Sequence, residues 1–247
     1  EKNMVTIRKI SHSDGKKPAV EKHPLDFKFS LKDLDGAERP ESIQVQRKTA
    51  WETYVSMPLP TLKEEKWKRI DLKRFSGQAY QGIPSEKTRV VLSAGGGDTA
   101  TKHKTLREGI IFCDWAHAER DHADVLERVF RESMKPNQEK LIALTQAMAG
   151  NGFLLYAPRR TKTGEPLRAE IQIPSGTQAH FFRTAIWLDA QAEVELFVHE
   201  TSLNGSAGNP CYMNLLDIHV GEGAHLRLHV LQDLQQDVWN FSYQQAL

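Results

Sequence analysis

The feature that most restricts the fold is an internal repeat. Ile186, Leu188, Ala192, Val194, Leu196 and Val198 recur 32 residues later as Ile218, Val220, Ala224, Leu226, Leu228 and Val230. Alternate residues are apolar within each copy, the period of a strand with one buried face. A short polar link precedes the Ala at each bend: Asp189-Ala190-Gln191 before Ala192, and Gly221-Glu222-Gly223 before Ala224. A unit of two strands cannot bury its own apolar row, but stacked on a copy of itself it builds a continuous core. The expectation is a β-solenoid; the competing arrangement is a meander or sandwich whose two hairpins look alike. Alternation starts after Gly152 and includes Leu167, Ala169, Ile171 and Ile173, then Thr184, Ile186 and Leu188, and later Leu216, Ile218 and Val220. The link from Glu200 to Asn214, rich in Asn, Gly and Ser, is expected to be a surface excursion.

Upstream the pattern differs. Residues 1 to 48 are polar and rich in Lys, which predicts a loosely ordered segment with a short strand near Ile43 and Val45. Pro58 and Pro60 stiffen the chain before a short helix predicted over Leu62–Trp67. Strands are expected over Arg89–Ala94 and Gly109–Asp114. Between them Gly95-Gly96-Gly97-Asp98 lacks the Gly-Lys-Ser/Thr of a phosphate loop and reads as a turn. A helix follows over Asp124–Met134, with Val125, Val129 and Glu132 on one side and Leu126 and Phe130 beside them. After Pro136, Asn137 is expected to cap a second helix that buries Leu141, Leu144, Thr145 and Met148 and stops at Gly150 and Gly152. The mixed charges flanking this helix pair favour core packing over DNA binding. The expected organisation is a lead-in (1–48), a mixed helical domain (49–150) and the start of a β-helix core (151–247).

Charge and cysteine content narrow the function. The chain carries 33 Lys and Arg against 32 Asp and Glu, so no global field gathers nucleic acid or anionic lipid. Its apolar runs, such as Gly152 to Ala157, fall far short of the roughly 20 residues that span a bilayer. No charged-then-apolar leader is recognisable, and a cytoplasmic location is expected. Cys113 and Cys211 are too few for a disulfide framework, so reduced thiols are expected. Cys113 lies in an apolar strand and reads as a small buried hydrophobe. Cys211, with His219, His225 and His229, supplies soft and borderline ligand types for iron. A single Cys cannot hold a cluster, however, and a packed or surface thiol is the preferred reading. His103, His117 and His122 with Asp114, Asp121 and Asp124 lack the spacing of a known metal motif and read as a solvated helix face. No nucleophile elbow is present. Two alternatives share a solenoid fold: a carbohydrate-cleaving β-helix, which would need clustered carboxylates that Glu193, Glu195 and Asp217 do not form by spacing, and a structural adaptor solenoid without chemistry of its own. No catalytic, cofactor-binding or metal residue is assigned.

Four separated stretches resemble the SufB/SufD family of iron–sulfur cluster assembly proteins. They are Pro58-x-Pro60 with Glu64, Trp67, Arg69, Asp71 and Leu72; Leu106-x-x-Gly109-Ile110-Ile111-Phe112-x-Asp114 with Ala118 and His122; Lys140-Leu141-x-Ala143-Leu144 through Ala147 to Gly152-Phe153-Leu154-Leu155-Tyr156-x-Pro158 and Pro166-Leu167; and the repeat itself, with Gly221-Glu222-Gly223-Ala224 and Gln232. The match runs in order from about residue 50 to 235. The Trp67 entrance, with no cysteine cluster before it, is closer to SufD than to SufB. The resemblance implies a mainly β fold, an N-terminal helical and mixed region leading into a right-handed parallel β-helix. It also implies a non-catalytic scaffold role, pairing with a SufB-like subunit and a SufC-like ATPase. No cofactor is expected to bind firmly; a nascent iron–sulfur cluster would pass transiently at the level of the complex. Family members continue through further coils to a helical domain that docks the ATPase. The coil reached at Leu247 is therefore expected to be uncovered and to favour self-association through the β-helix.

Overall fold

The computed structural model describes residues 23–34, 39–80, 89–94, 103–105, 109–203 and 208–247. Helix α1 (Glu41–Ser56) crosses the position where a loosely ordered segment with a strand near Ile43 and Val45 was expected. Its buried residues, Ile43, Arg47, Ala50, Trp51 and Tyr54, recur at helical spacing. The Lys and Glu residues between them lie on the exposed side, so the polar composition hides an amphipathic element. No helix forms over Leu62–Trp67; the chain makes successive turns there, and Trp67 is drawn into the core beside Phe241. Burial of one large ring takes precedence over local helix propensity.

Strand β1 (Arg89–Ala94) forms as expected, and β2 (His103–Thr105) pairs antiparallel with β3 (Ile111–Asp114). The Gly95–Asp98 turn expected from the sequence lies outside the described residues. Helices α2 (Trp115–Asp121) and α3 (Ala123–Glu132) follow, with Val125, Leu126 and Val129 of α3 buried and Glu132 exposed rather than on the apolar side. Helix α4 (Lys140–Met148) starts later than the Asn137 cap predicts, because Pro136–Gln138 forms a separate 3₁₀ turn and leaves Asn137 exposed. Helices α1 and α4 terminate each other. Lys140 Nζ donates to the Tyr54 and Met57 carbonyls at the end of α1, and Arg47 donates to the Ala149 carbonyl at the end of α4. Each cation satisfies carbonyls that the helix itself cannot pair.

Gly152 does not stop α4 but lies inside strand β4 (Asn151–Ala157), with φ of 122°. A Cβ at this position would stand 1.9 Å from the Arg183 carbonyl oxygen. From here the chain alternates between two sheets through β5 (Leu167–Ile173), β6 (Ala179–Leu188), β7 (Glu193–Ser202), β8 (Cys211–Val220), β9 (His225–Asp233) and β10 (Trp239–Ala246). One sheet has the order β1-β5-β7-β9, the other β10-β8-β6-β4-β3-β2. Both are mixed: β1, β2 and β3 pair antiparallel, whereas every return from β4 onward is parallel. The repeat is visible in the register, since Ile186 is the direct partner of Ile218 and Leu196 of Leu228. Backbone torsions repeat at the bends as well: Gln191 has φ of 63° and Gly223, its counterpart one rung on, 66°. The fold is thus mixed α/β, with two mixed sheets and few helices.

Phe153, Ile171, Phe182, Ile186, Leu196 and Leu216 are among the residues buried between the sheets. The sheet containing β6 is also covered on its other face. Phe181, Cys211 and Met213 pack there against α1 and α4, while Leu154, Ala185 and Trp187 pack against α2 and α3. Every residue of β6 is consequently buried, so its apolar alternation is blurred in the sequence. On β7 only one face is covered, and there the alternation is clear.

Candidate functional site

The cysteines and histidines singled out from the sequence do not converge. Cys211, in β8, points toward the helices and is fully buried; burial raises its thiol well above the ordinary range. His219 is on the same strand, stacked on Trp187 with ring centroids 3.8 Å apart. His225 and His229 belong to β9 in the opposite sheet, where His229 meets Glu195 at 3.1 Å. Cys113 is buried in β3, and burial, then the charge of Asp114, pushes its thiol up to about 12. Neither thiol is ionised near neutral pH, and the thiolate is the form that attacks or ligates. Asp114 caps α2 by accepting from the His117 backbone N–H, and its carboxylate also meets His117 Nδ1 at 2.7 Å. Asp121 pairs with Arg120, His122 bridges α2 and α3, Asp124 is exposed in the first turn of α3, and the backbone of His103 lies opposite Cys113. No group of three or more His, Cys, Asp or Glu side chains is placed to hold a metal among the described residues. Glu193 and Glu195 are taken up by Lys162 and by Arg227, while Asp217 is buried in the other sheet beside Arg183, so these carboxylates form no catalytic pair.

Two constellations were not legible in advance. The first is buried where the helices meet the sheet. The Arg183 guanidinium sits 4.2 Å from the Phe130 ring centroid and 3.5 Å from Asp217, whose other oxygen accepts the Met134 backbone N–H. Nearby, Glu119 accepts from Arg39 and from the Trp115 indole. The Arg183 and Asp217 contacts fasten α3 and the turn after it to the sheet, and Glu119 ties α2 to Arg39.

The second lies between the sheets. Glu200 and Asn214, the expected ends of a surface excursion, are interior strand residues that hydrogen-bond each other at 3.2 Å. Strand β7 runs on to Ser202, and β8 begins at Cys211. Glu200 also accepts from Tyr212 Oη at 2.8 Å and from Gln232 Nε2 at 2.6 Å. Burial and the adjacent Glu200 charge hold the Tyr212 phenol well above its ordinary value, which keeps it a donor. Composition signalled a loop here; the alternation of Glu200 with Val198, and of Tyr212 with Asn214, was the signal that it was not.

The fold places the β3–α2–α3–α4–β4 region directly ahead of the stacked strands, and residues 85–169 match the family model described as the SufBD protein N-terminal region. The chain is similar to the SufB/SufD proteins over this segment. It is 27% identical over 133 residues to the iron–sulfur cluster assembly protein SufB of Bacillus subtilis, a segment covering 54% of this chain and 28% of that protein. It is 29% identical over 138 residues to an iron–sulfur cluster assembly SufBD family protein of Staphylococcus haemolyticus, covering 56% of this chain and 30% of the relative. A SufBD family protein of Staphylococcus aureus is 28% identical over the same length. The matched segment thus spans less than a third of these SufB and SufBD relatives. No described helix of the chain is long and apolar enough to cross a membrane.

Proposed function

We propose that this chain is the front portion of a SufD-like, non-catalytic scaffold subunit of an iron–sulfur cluster assembly complex. The observation that carries the reading is a SufBD N-terminal region running into strands that return in parallel at a spacing of 31 or 32 residues from β4 to β6 to β8. In this reading the strands are the first coils of a right-handed parallel β-helix. A SufB-like subunit pairs along it, a SufC-like ATPase joins through parts of the longer protein, and the complex works in the cytoplasm. The nascent cluster is cargo. Two features support a scaffold rather than a chemical role: both thiols are buried, and the charged clusters described above fasten elements together. The SufD assignment rests on the Pro58-x-Pro60 entrance, whose Trp67 packs 6.4 Å from Phe241 and ties the N-terminal region to β10. Self-association belongs to the same reading, supported by β9 and β10 being the outermost strands of their sheets among the described residues.

Co-purification tests the proposal. The complete gene product, tagged and expressed with a SufB-like subunit and a SufC-like ATPase, should retain both through size exclusion. Retention of neither, or cleavage of oligosaccharides by the isolated protein, would refute it.

A further inference from the structure

Beside α1 and α4, the outer face of β8 and β10 is covered by irregular chain: residues 72–80 and, against them, residues 23–34. Leu25, Phe27 and Phe29 are buried in alternation with Asp26, Lys28 and Ser30, the period of a strand, yet no described residue of 23–34 joins a ladder. Phe29 reaches the sheet itself, edge-on to Phe181 at 5.5 Å. Phe27 lies 5.9 Å from Phe75 and 6.2 Å from Tyr80. Phe75 in turn meets Trp239 at 5.0 Å, and Trp239 is the register partner of Cys211. Tyr80 Oη donates at 2.9 Å to the carbonyl of Asn209, two residues before Cys211. Phe75 and Tyr80 thus close over the Cys211 end of β8, and Phe27 packs on both. One short seam holds the backbone of 23–34. Gly77 N–H donates to the Pro24 carbonyl at 2.6 Å, and a Cβ at Gly77 would stand 2.9 Å from the Asp26 carbonyl oxygen, so only glycine allows this approach. Gln78 Nε2 adds a bond to Asp26 Oδ2 at 2.7 Å, and the His23 ring meets the Pro60 carbonyl at 2.9 Å.

We propose that residues 23–34 are a releasable strap that gates access to Cys211. Inserted side chains and the Gly77 seam hold the strap, with no ladder to hold it between them. The other thiol is enclosed differently: Cys113 lies in β3, laddered on both edges by β2 and β4 and covered by α2 and α3. A segment without ladder bonds opens locally at less cost than the fold as a whole. When the strap lifts, Phe75 and Tyr80 lose their outer packing, and the way to Cys211 opens without unfolding of the strands. In the closed state the thiol is fully buried and silent, and modification proceeds only through the open state. Strap release is independent of the proposed scaffold role, since it is read on this chain alone.

Alkylation by excess N-ethylmaleimide tests it, with mass spectrometry of the peptides reporting each thiol separately. In the wild-type chain without denaturant, Cys211 should be modified at least about tenfold faster than Cys113. Low urea should accelerate Cys113 much more steeply than Cys211, because only Cys113 waits for unfolding of the strands. Phe27→Ala, which loosens the strap, and Gly77→Ala, which pushes on its seam, should each raise the Cys211 rate further and leave the ratio of Cys113 to its own unfolding rate unchanged. If one variant does not fold, the other and the wild-type rates decide the question. Cys113 keeping pace with Cys211 in the wild-type chain would overturn the proposal. So would fast Cys211 modification that neither folded variant alters, which would assign the opening to fraying of β10 instead.

Discussion

The two ends of the space between the sheets follow different chemistry on one continuous backbone ladder. Beside the bends at Ala192 and Ala224, the inward positions are aliphatic on successive rungs: Ile186, Leu188, Val194 and Leu196, then Ile218, Val220, Leu226 and Leu228. At the other end the first rung is apolar, with Phe153, Ile171 and Ile173. The next two rungs bring in Glu200, Tyr212, Asn214 and Gln232, and His180 is buried on the same end of β6. Strand pairing requires only that the backbone stack; side chains at one end supply the burial, and those at the other are released for polar contacts. A ladder built this way can vary its interior without losing its fold.

The largest expected effect comes from the entry to the ladder, which both ends share. Gly152→Ala forces a Cβ against the Arg183 backbone at a φ that side chains rarely adopt, and should abolish the cooperative urea transition. Arg183→Met leaves Asp217 buried without a cation, held only by the Met134 backbone N–H, and should cost about 3–5 kcal/mol in urea unfolding. A smaller loss for Asp217→Leu/Arg183→Met than for Arg183→Met alone would identify the isolated charge as the cause. At the aliphatic end, Leu196→Ala should cost about 2–5 kcal/mol. Val230→Ala, one rung on and 45% exposed, should cost under about 1 kcal/mol.

The polar end should show a milder dependence on pH. Burial pushes His180 down to about 4 from an ordinary 6.5. Below 6.5 the unfolded chain binds a proton that the folded chain excludes until about pH 4. Stability should therefore fall as pH drops through this window, by at most about 3 kcal/mol, and His180→Phe should flatten that part of the profile. A wild-type profile that His180→Phe leaves unaltered would remove His180 from the account.

This difference between the ends also explains what the sequence disclosed. The repeat was legible because the aliphatic end conserves spacing and residue class from Ile186 to Val230. The polar end was mistaken for a loop, since Glu200, Asn209 and Asn214 carry the composition of a surface link, and only the partners across the space between the sheets show that Glu200 and Asn214 are interior. Helix α1 was obscured for a related reason: Arg47 occupies one of its buried positions, and its role depends on Ala149, distant in sequence. Buried Lys140, Arg183 and Asp217 could not be told from surface charges, because the groups that compensate them come from other elements.

Disulfide trapping on the outer surface reads the strand register directly, with both native thiols buried and silent. Glu195 and Arg227 are direct partners on β7 and β9, whereas His219 lies in the other sheet. Mild oxidation should cross-link Glu195→Cys/Arg227→Cys within one chain in high yield and leave Glu195→Cys/His219→Cys uncross-linked. The reverse pattern, or no cross-link in either variant, would contradict the stacking of residues 186–198 on 218–230.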